Sequence, residues 1–68
     1  MTDDINEAEK NLQQANGRQL NAYQQDLVEK TRSFIDQSHD ASKGGDWARA
    51  QMLAQKARLL STELVNTL

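Results

Sequence analysis

Gly44-Gly45-Asp46-Trp47-Ala48-Arg49-Ala50-Gln51-Met52-Leu53-Ala54-Gln55-Lys56-Ala57 ends one helix, turns the chain and starts another. Gly44 can take the left-handed conformation that closes a helix, because it has no Cβ to clash. Gly45 lets the chain reverse. Asp46 reads as the next N-cap: its carboxylate can accept from the backbone N–H of Ala48 or Arg49 and suits the positive end of a helix. From there to Leu68 the chain has neither Gly nor Pro. Trp47, Ala50, Leu53/Ala54, Ala57, Leu60/Ser61, Leu64 and Leu68 recur at steps of three and four, as one face of a helix does. Ala50, Ala54, Ala57 and Ser61 are small, so a neighbouring helix can approach closely along this stripe. Trp47, at its head, is read as a core anchor.

Working outward, residues 20–42 form the partner helix. Asn21-Ala22-Tyr23-Gln24 carries a capping-box pattern, and Asp26 and Lys30 stand in the favourable i,i+4 order. Leu27, Thr31, Phe34, Ser38 and Ala41 form one line, with Val28 and Ile35 as a second line beside it. An antiparallel turn at Gly44-Gly45 sets Phe34 near Ala54, Leu27 near Leu60/Ser61 and Tyr23 near Leu64. The final helix is also two-sided, with Met52 and Leu59 off its alanine stripe.

Ahead of the hairpin, Thr2, Asp3 and Asp4 mark a helix start, and Ile5, Ala8, Leu12 and Ala15 make a narrow apolar stripe. Asn16-Gly17 is a strong breaker pair and predicts a bend between residues 16 and 21. A second reading stays open, because Ile5, Leu12, Asn16, Leu20, Tyr23, Leu27 and Thr31 also share a stripe that suits one uninterrupted helix. A mid-helix Gly costs only about 1 kcal/mol.

The expected fold is therefore all-α and a single domain, with helices at about 3–15, 20–42 and 46–66. It is an antiparallel helical hairpin with a short N-terminal third helix, a three-helix bundle. The alternative is a two-helix hairpin with one long first helix that dimerises.

The segment from Phe34 to Ala57 resembles a tetratricopeptide-type hairpin. Gly45-Asp46-Trp47 followed by Ala50, Ala54 and Ala57 is similar to the start of that repeat's second helix, and Phe34, Ser38 and Ala41 fall where its first helix places packing residues. Gln37 stands where a Leu is usual and Thr62 where a repeat-ending Pro is usual. Only one unit is present, whereas a solenoid needs about three. The likeness is to the single hairpins of uncharacterised bacterial proteins, and it implies a helical hairpin rather than a peptide-binding array.

Composition narrows the chemistry. A chain of 68 residues makes one small domain, burying only about 60% of its unfolded surface, and such chains are commonly completed by oligomerisation. With no Cys there is no disulfide or thiolate metal site. Residues 1–42 carry eight acids and four bases, and residues 43–68 two acids and four bases. This asymmetry suits attraction between neighbouring helices better than a nucleic-acid surface, which needs a far more basic domain. The longest apolar run is too short to span a membrane, and the acidic opening is unlike a secretory signal. His39, beside Asp40 and Asp36, has no nucleophile or oxyanion site in the pattern, and reads as an exposed helix-end residue. The spaced carboxylates Asp3, Asp4, Glu7 and Asp36, Asp40 lack a calcium-loop pattern. Gly44-Gly45 lacks the Gly-Lys-Ser/Thr ending of a phosphate loop. Arg49, Lys56 and Arg58 read as a solvated face.

No catalytic, metal or cofactor site is expected. A hairpin buries one stripe per helix, so the second stripes, Val28 and Ile35 with Met52 and Leu59, are the candidate interface. The function expected is a non-enzymatic structural or interaction module that self-associates as a dimer. The alternative is an adaptor holding a partner helix in an apolar groove.

Overall fold

The computed structural model describes residues 2–68, without the Thr2 side chain, so the hydroxyl expected to open the first helix lies outside the described groups. Three helices follow in order: α1 (Thr2–Ala15), α2 (Ala22–Lys43) and α3 (Trp47–Thr67). They pack on one another as an all-α three-helix bundle, and the bend expected at residues 16–21 is present.

Each helix end has a local cause. Ala15 is followed by Asn16, and Gly17 takes the left-handed conformation at φ +81°, which a residue with a Cβ adopts only with strain. Asn21 opens α2 with a complete capping box: its side chain accepts from the Gln24 N–H at 2.8 Å, and Gln24 Oε1 accepts from the Asn21 N–H at 3.0 Å. This satisfies two donors that the first turn would otherwise leave unpaired. At the other end, the left-handed residue is Gly45 (φ +80°), while Gly44 stays right-handed at φ −81°. This corrects the expectation for Gly44 by one residue. The Gly45 N–H donates to the Ser42 carbonyl at 3.1 Å and the Asp46 N–H to that of Ala41 at 2.9 Å. That pair of bonds closes α2 in a Schellman motif, with Gly45 as its left-handed residue. Asp46 then turns to the next helix, accepting from the Arg49 N–H at 3.2 Å.

The alanine stripe of α3 is the core. Ala50, Leu53, Ala54, Ala57, Ser61 and Leu64 are all buried. Helix α2 runs antiparallel to α3. Ser38 Oγ donates to the Ala50 carbonyl at 2.8 Å, Ile35 packs with Ala54 and Ala57, and Leu27 packs with Leu64. Gln24 Nε2 donates to the Thr67 carbonyl at 3.0 Å, so the residue that caps α2 also ties it to the end of α3. Helix α1 runs parallel to α3: Ile5 and Ala8 meet Ala54 and Ala57, Asn11 reaches Ser61, and Ala15 joins Leu64. Its backbone approaches α3 most closely, and it meets α2 through side chains, with Ile5 and Ala8 against Ile35.

Two expectations are corrected by that arrangement. Ile35, expected at an interface, is only 8% exposed, because Ile5 and Ala8 of the folded-back α1 cover it. Val28 is half-buried and packs on the Ala15–Leu27–Leu64 cluster for the same reason. Trp47, expected in the core, is 61% exposed. Its cause is length: α1 has 14 residues and α3 has 21, about 21 Å against about 32 Å. With Asn11 at Ser61 and Ala15 at Leu64, the described part of α1 begins beyond the first turn of α3 and leaves that turn uncovered.

These placements predict opposite outcomes for two large residues. Leu64→Ala should cost about 2–5 kcal/mol, since Leu64 is fully buried and leaves a cavity. Trp47→Ala should change stability by less than about 1 kcal/mol, as an exposed site does. Thermal or urea unfolding of both variants measures this directly, and the order would have to reverse for Trp47 to be the anchor.

Candidate interaction surface

With Ile35 buried and Val28 half-buried inside the chain, the exposed part of the candidate interface lies on the outer face of α3. Met52 is 48% exposed and Leu59 is 60% exposed. They stand seven residues apart, two helical turns, on the side opposite the buried Ala50–Ala54–Ala57–Ser61 stripe. The interval between and around them is filled by Ala48, Gln55, Thr62 and Asn66, all exposed. Together, residues 48, 52, 55, 59, 62 and 66 alternate steps of four and three, the spacing of a coiled-coil seam. No member of this seam is charged. Sequence reasoning found Met52 and Leu59 from their apolar side chains. It did not name the four residues around them, which share the four-three spacing and carry no charge.

One flank of the seam is charged and repeats every seven residues: Arg49, Lys56 and Glu63, all exposed. Lys56 Nζ sits 5.7 Å from the centre of the Phe34 ring. Its charge is thus held over an aromatic face of α2. Glu63 Oε1 accepts from the Tyr23 hydroxyl at 3.3 Å. The ion pairs among the described residues are Asp26–Lys30 at 2.9 Å and Asp4–Arg58 at 2.7 Å. Neither Arg49 nor Glu63 belongs to one. Arg58, on the opposite flank, is turned to α1. Its Nε is enclosed and lacks a well-aligned acceptor although Asp4 Oδ1 is close, so the contact is an ion pair rather than a directed hydrogen bond. Both side chains remain partly exposed, so the pair contributes at most about 1 kcal/mol.

Two shallow hollows lie elsewhere on the described surface. One, of about 180 Å³, lies beside the α1–α2 turn, where Leu12, Ala15, Leu20 and Val28 are rimmed by Arg32. The other, of about 300 Å³, lies at the α2–α3 turn between Gln37, Asp40, Ala41, Gly44, Asp46 and Arg49. Both are open to solvent. His39 is exposed and lines neither. Among the described residues, no group of three or more His, Asp or Glu side chains is placed to hold a metal ion. Among the described residues, no helix is long and apolar enough to cross a membrane.

Tyr23 is the titrating group that reports on the α2–α3 seam. Partial desolvation against α3, followed by the Glu63 carboxylate, raises its phenol above the ordinary 10.0. A raised value means that folding favours the neutral phenol. The contribution is therefore fully present below pH 10.0 and is lost as pH rises through the folded value. An ultraviolet titration should place the Tyr23 midpoint above 10.0 in the folded chain, and Glu63→Gln should move it part of the way back. A folded midpoint no higher than the ordinary value would mean that Tyr23 and Glu63 do not meet in solution. In comparisons with known proteins, no family model, curated protein or solved structure matches this chain.

Proposed function

We propose that this chain is a non-enzymatic structural or protein-interaction module that self-associates through the outer face of α3. The observation that carries the reading is the joint exposure of Met52 and Leu59 on an uncharged helix face turned away from the core. Large apolar side chains grouped on one face mark an interaction surface more often than isolated ones do. The size of the chain points the same way, because a 68-residue domain whose core sets many Ala, Ser and Thr beside its few buried Leu and Ile side chains has limited apolar area to bury alone. The tetratricopeptide-like run from Phe34 to Ala57 is consistent with a module that works by packing helices.

A second reading has its own observation in the apolar hollow of Leu12, Leu20 and Val28 beside Arg32. In that reading the chain is an adaptor. An apolar side chain of a partner helix fills the hollow, and a carboxylate on that helix meets the guanidinium.

The mass in solution across a concentration series separates the two readings. The self-associating module should form a dimer that dissociates on dilution. Met52→Lys with Leu59→Lys should give a monomer of unchanged helicity, since both positions are exposed and leave the core intact. A chain that is monomeric at every concentration would discard self-association and leave the adaptor. A double variant that remains dimeric would move the interface off this face.

A further inference from the structure

We infer that the dimer is an antiparallel pairing of α3 with α3 of a second copy, in which Arg49 of each chain faces Glu63 of the other. This rests on the self-association reading and gives it a geometry. The first observation is the seam itself. Residues 48, 52, 55, 59, 62 and 66 present an uncharged four-three face along nearly the whole of α3, and a second helix with the same face can interleave with it. The second is the charge on its flank. Arg49 and Glu63 carry opposite signs and lie 14 residues apart, about 21 Å along the axis. Neither has an ion-pair partner among the described residues, and Glu63 has only the exposed 3.3 Å bond from the neutral Tyr23 hydroxyl.

Antiparallel packing about a two-fold axis brings each flank against its own copy, running the other way. With the axis near Lys56, Arg49 of one chain lies level with Glu63 of the other, and the same pair recurs on the opposite side of the axis. One symmetry operation forms the pair twice, so each of the four charges is matched once. The same register sets Met52 beside Leu59 of the second copy, so the apolar and charged patterns choose one alignment. A parallel copy would leave Arg49 and Glu63 separated by about 21 Å. Lys56 would meet its own copy at the axis, but it already lies over the Phe34 ring, on the α2 side of the helix. Arg58, on the other flank, is engaged by Asp4 of α1. Antiparallel packing also opposes the two helix dipoles.

A single helix pair of this length buries less than the roughly 1,200 Å² of a standard interface. Polar Gln55 and Asn66 within the seam lower its strength further while favouring one register. The association is therefore reversible and of the transient class.

Charge exchange tests the register. Arg49→Glu alone sets the new carboxylate against Glu63 on both sides of the axis, and Glu63→Arg alone sets the new guanidinium against Arg49 twice. Each should weaken dimerisation by about tenfold or more, given rim pairs of this kind. The variant carrying both substitutions rebuilds the pairs with the signs reversed and should return to within about threefold of the original dimer. Neither single change harms the helix, since an acid in the first turn and a base near the last both suit the dipole, and unchanged helicity confirms this. If the single variants dimerise as well as the original, or the double variant stays as weak as the singles, the antiparallel register is wrong. Met52→Lys with Leu59→Lys distinguishes that failure from a failure of self-association. A dimer broken by the lysines but indifferent to the charge exchange uses this face in another alignment.

Discussion

Close approach along the alanine stripe of α3 is the constraint on which the other contacts depend. Ala50, Ala54, Ala57 and Ser61 are fully buried, and both other helices are seated on this one helix. Small side chains bring the backbones near enough for hydroxyl and amide groups to cross between helices. Ser38 reaches the Ala50 carbonyl, Asn11 reaches Ser61, and Gln24 reaches Thr67. Each such bond adds only about 1 kcal/mol net, but an unpaired buried partner would cost more. The bonds therefore set register more than they set stability. The largest fully buried side chain is Leu64, and no aromatic ring is fully enclosed.

Local chemistry at the chain reversals makes this packing reachable. Gly17 and Gly45 supply the two left-handed residues. Asp46 closes α2 with its backbone and opens α3 with its side chain, so a single residue sets both ends of the turn. Gln24 has a comparable double role at the far end, completing the cap of α2 with its oxygen and bonding α3 with its nitrogen. Because the two ends of the α2–α3 hairpin are pinned in this way, α3 cannot rotate to bury Met52 and Leu59 without breaking both.

The exposed surface follows from those same constraints. Helix α1 covers the second line of α2 and leaves the back of α3 open. It is also too short to reach the first turn of α3, which leaves Trp47 in solvent. What remains outward on α3 is an uncharged seam with a charged flank. That surface is the one proposed to pack against another helix.

The sequence by itself determined the α2–α3 hairpin, its reversal at Gly44–Asp46, the capping box at Asn21–Gln24 and the small-residue stripe of α3, while leaving open whether the chain bends after Asn16-Gly17 to make α1 a separate helix. These follow from capping chemistry, glycine conformational freedom and the 3.6-residue period, all of which act within a few residues. Met52 and Leu59 were legible for the same reason, since the period alone separates them from the buried stripe. Only the tertiary structure decided what stands opposite each face. Ile35 and Val28 share a legible line, yet whether another chain or α1 covers them depends on where the chain bends and on which side α1 returns. Trp47 lies in register with a core stripe, yet its burial depends on the length of a helix more than thirty residues away in sequence. Periodicity says which residues look the same way along a helix. The reach and direction of the neighbouring helices settle which of them find a partner there.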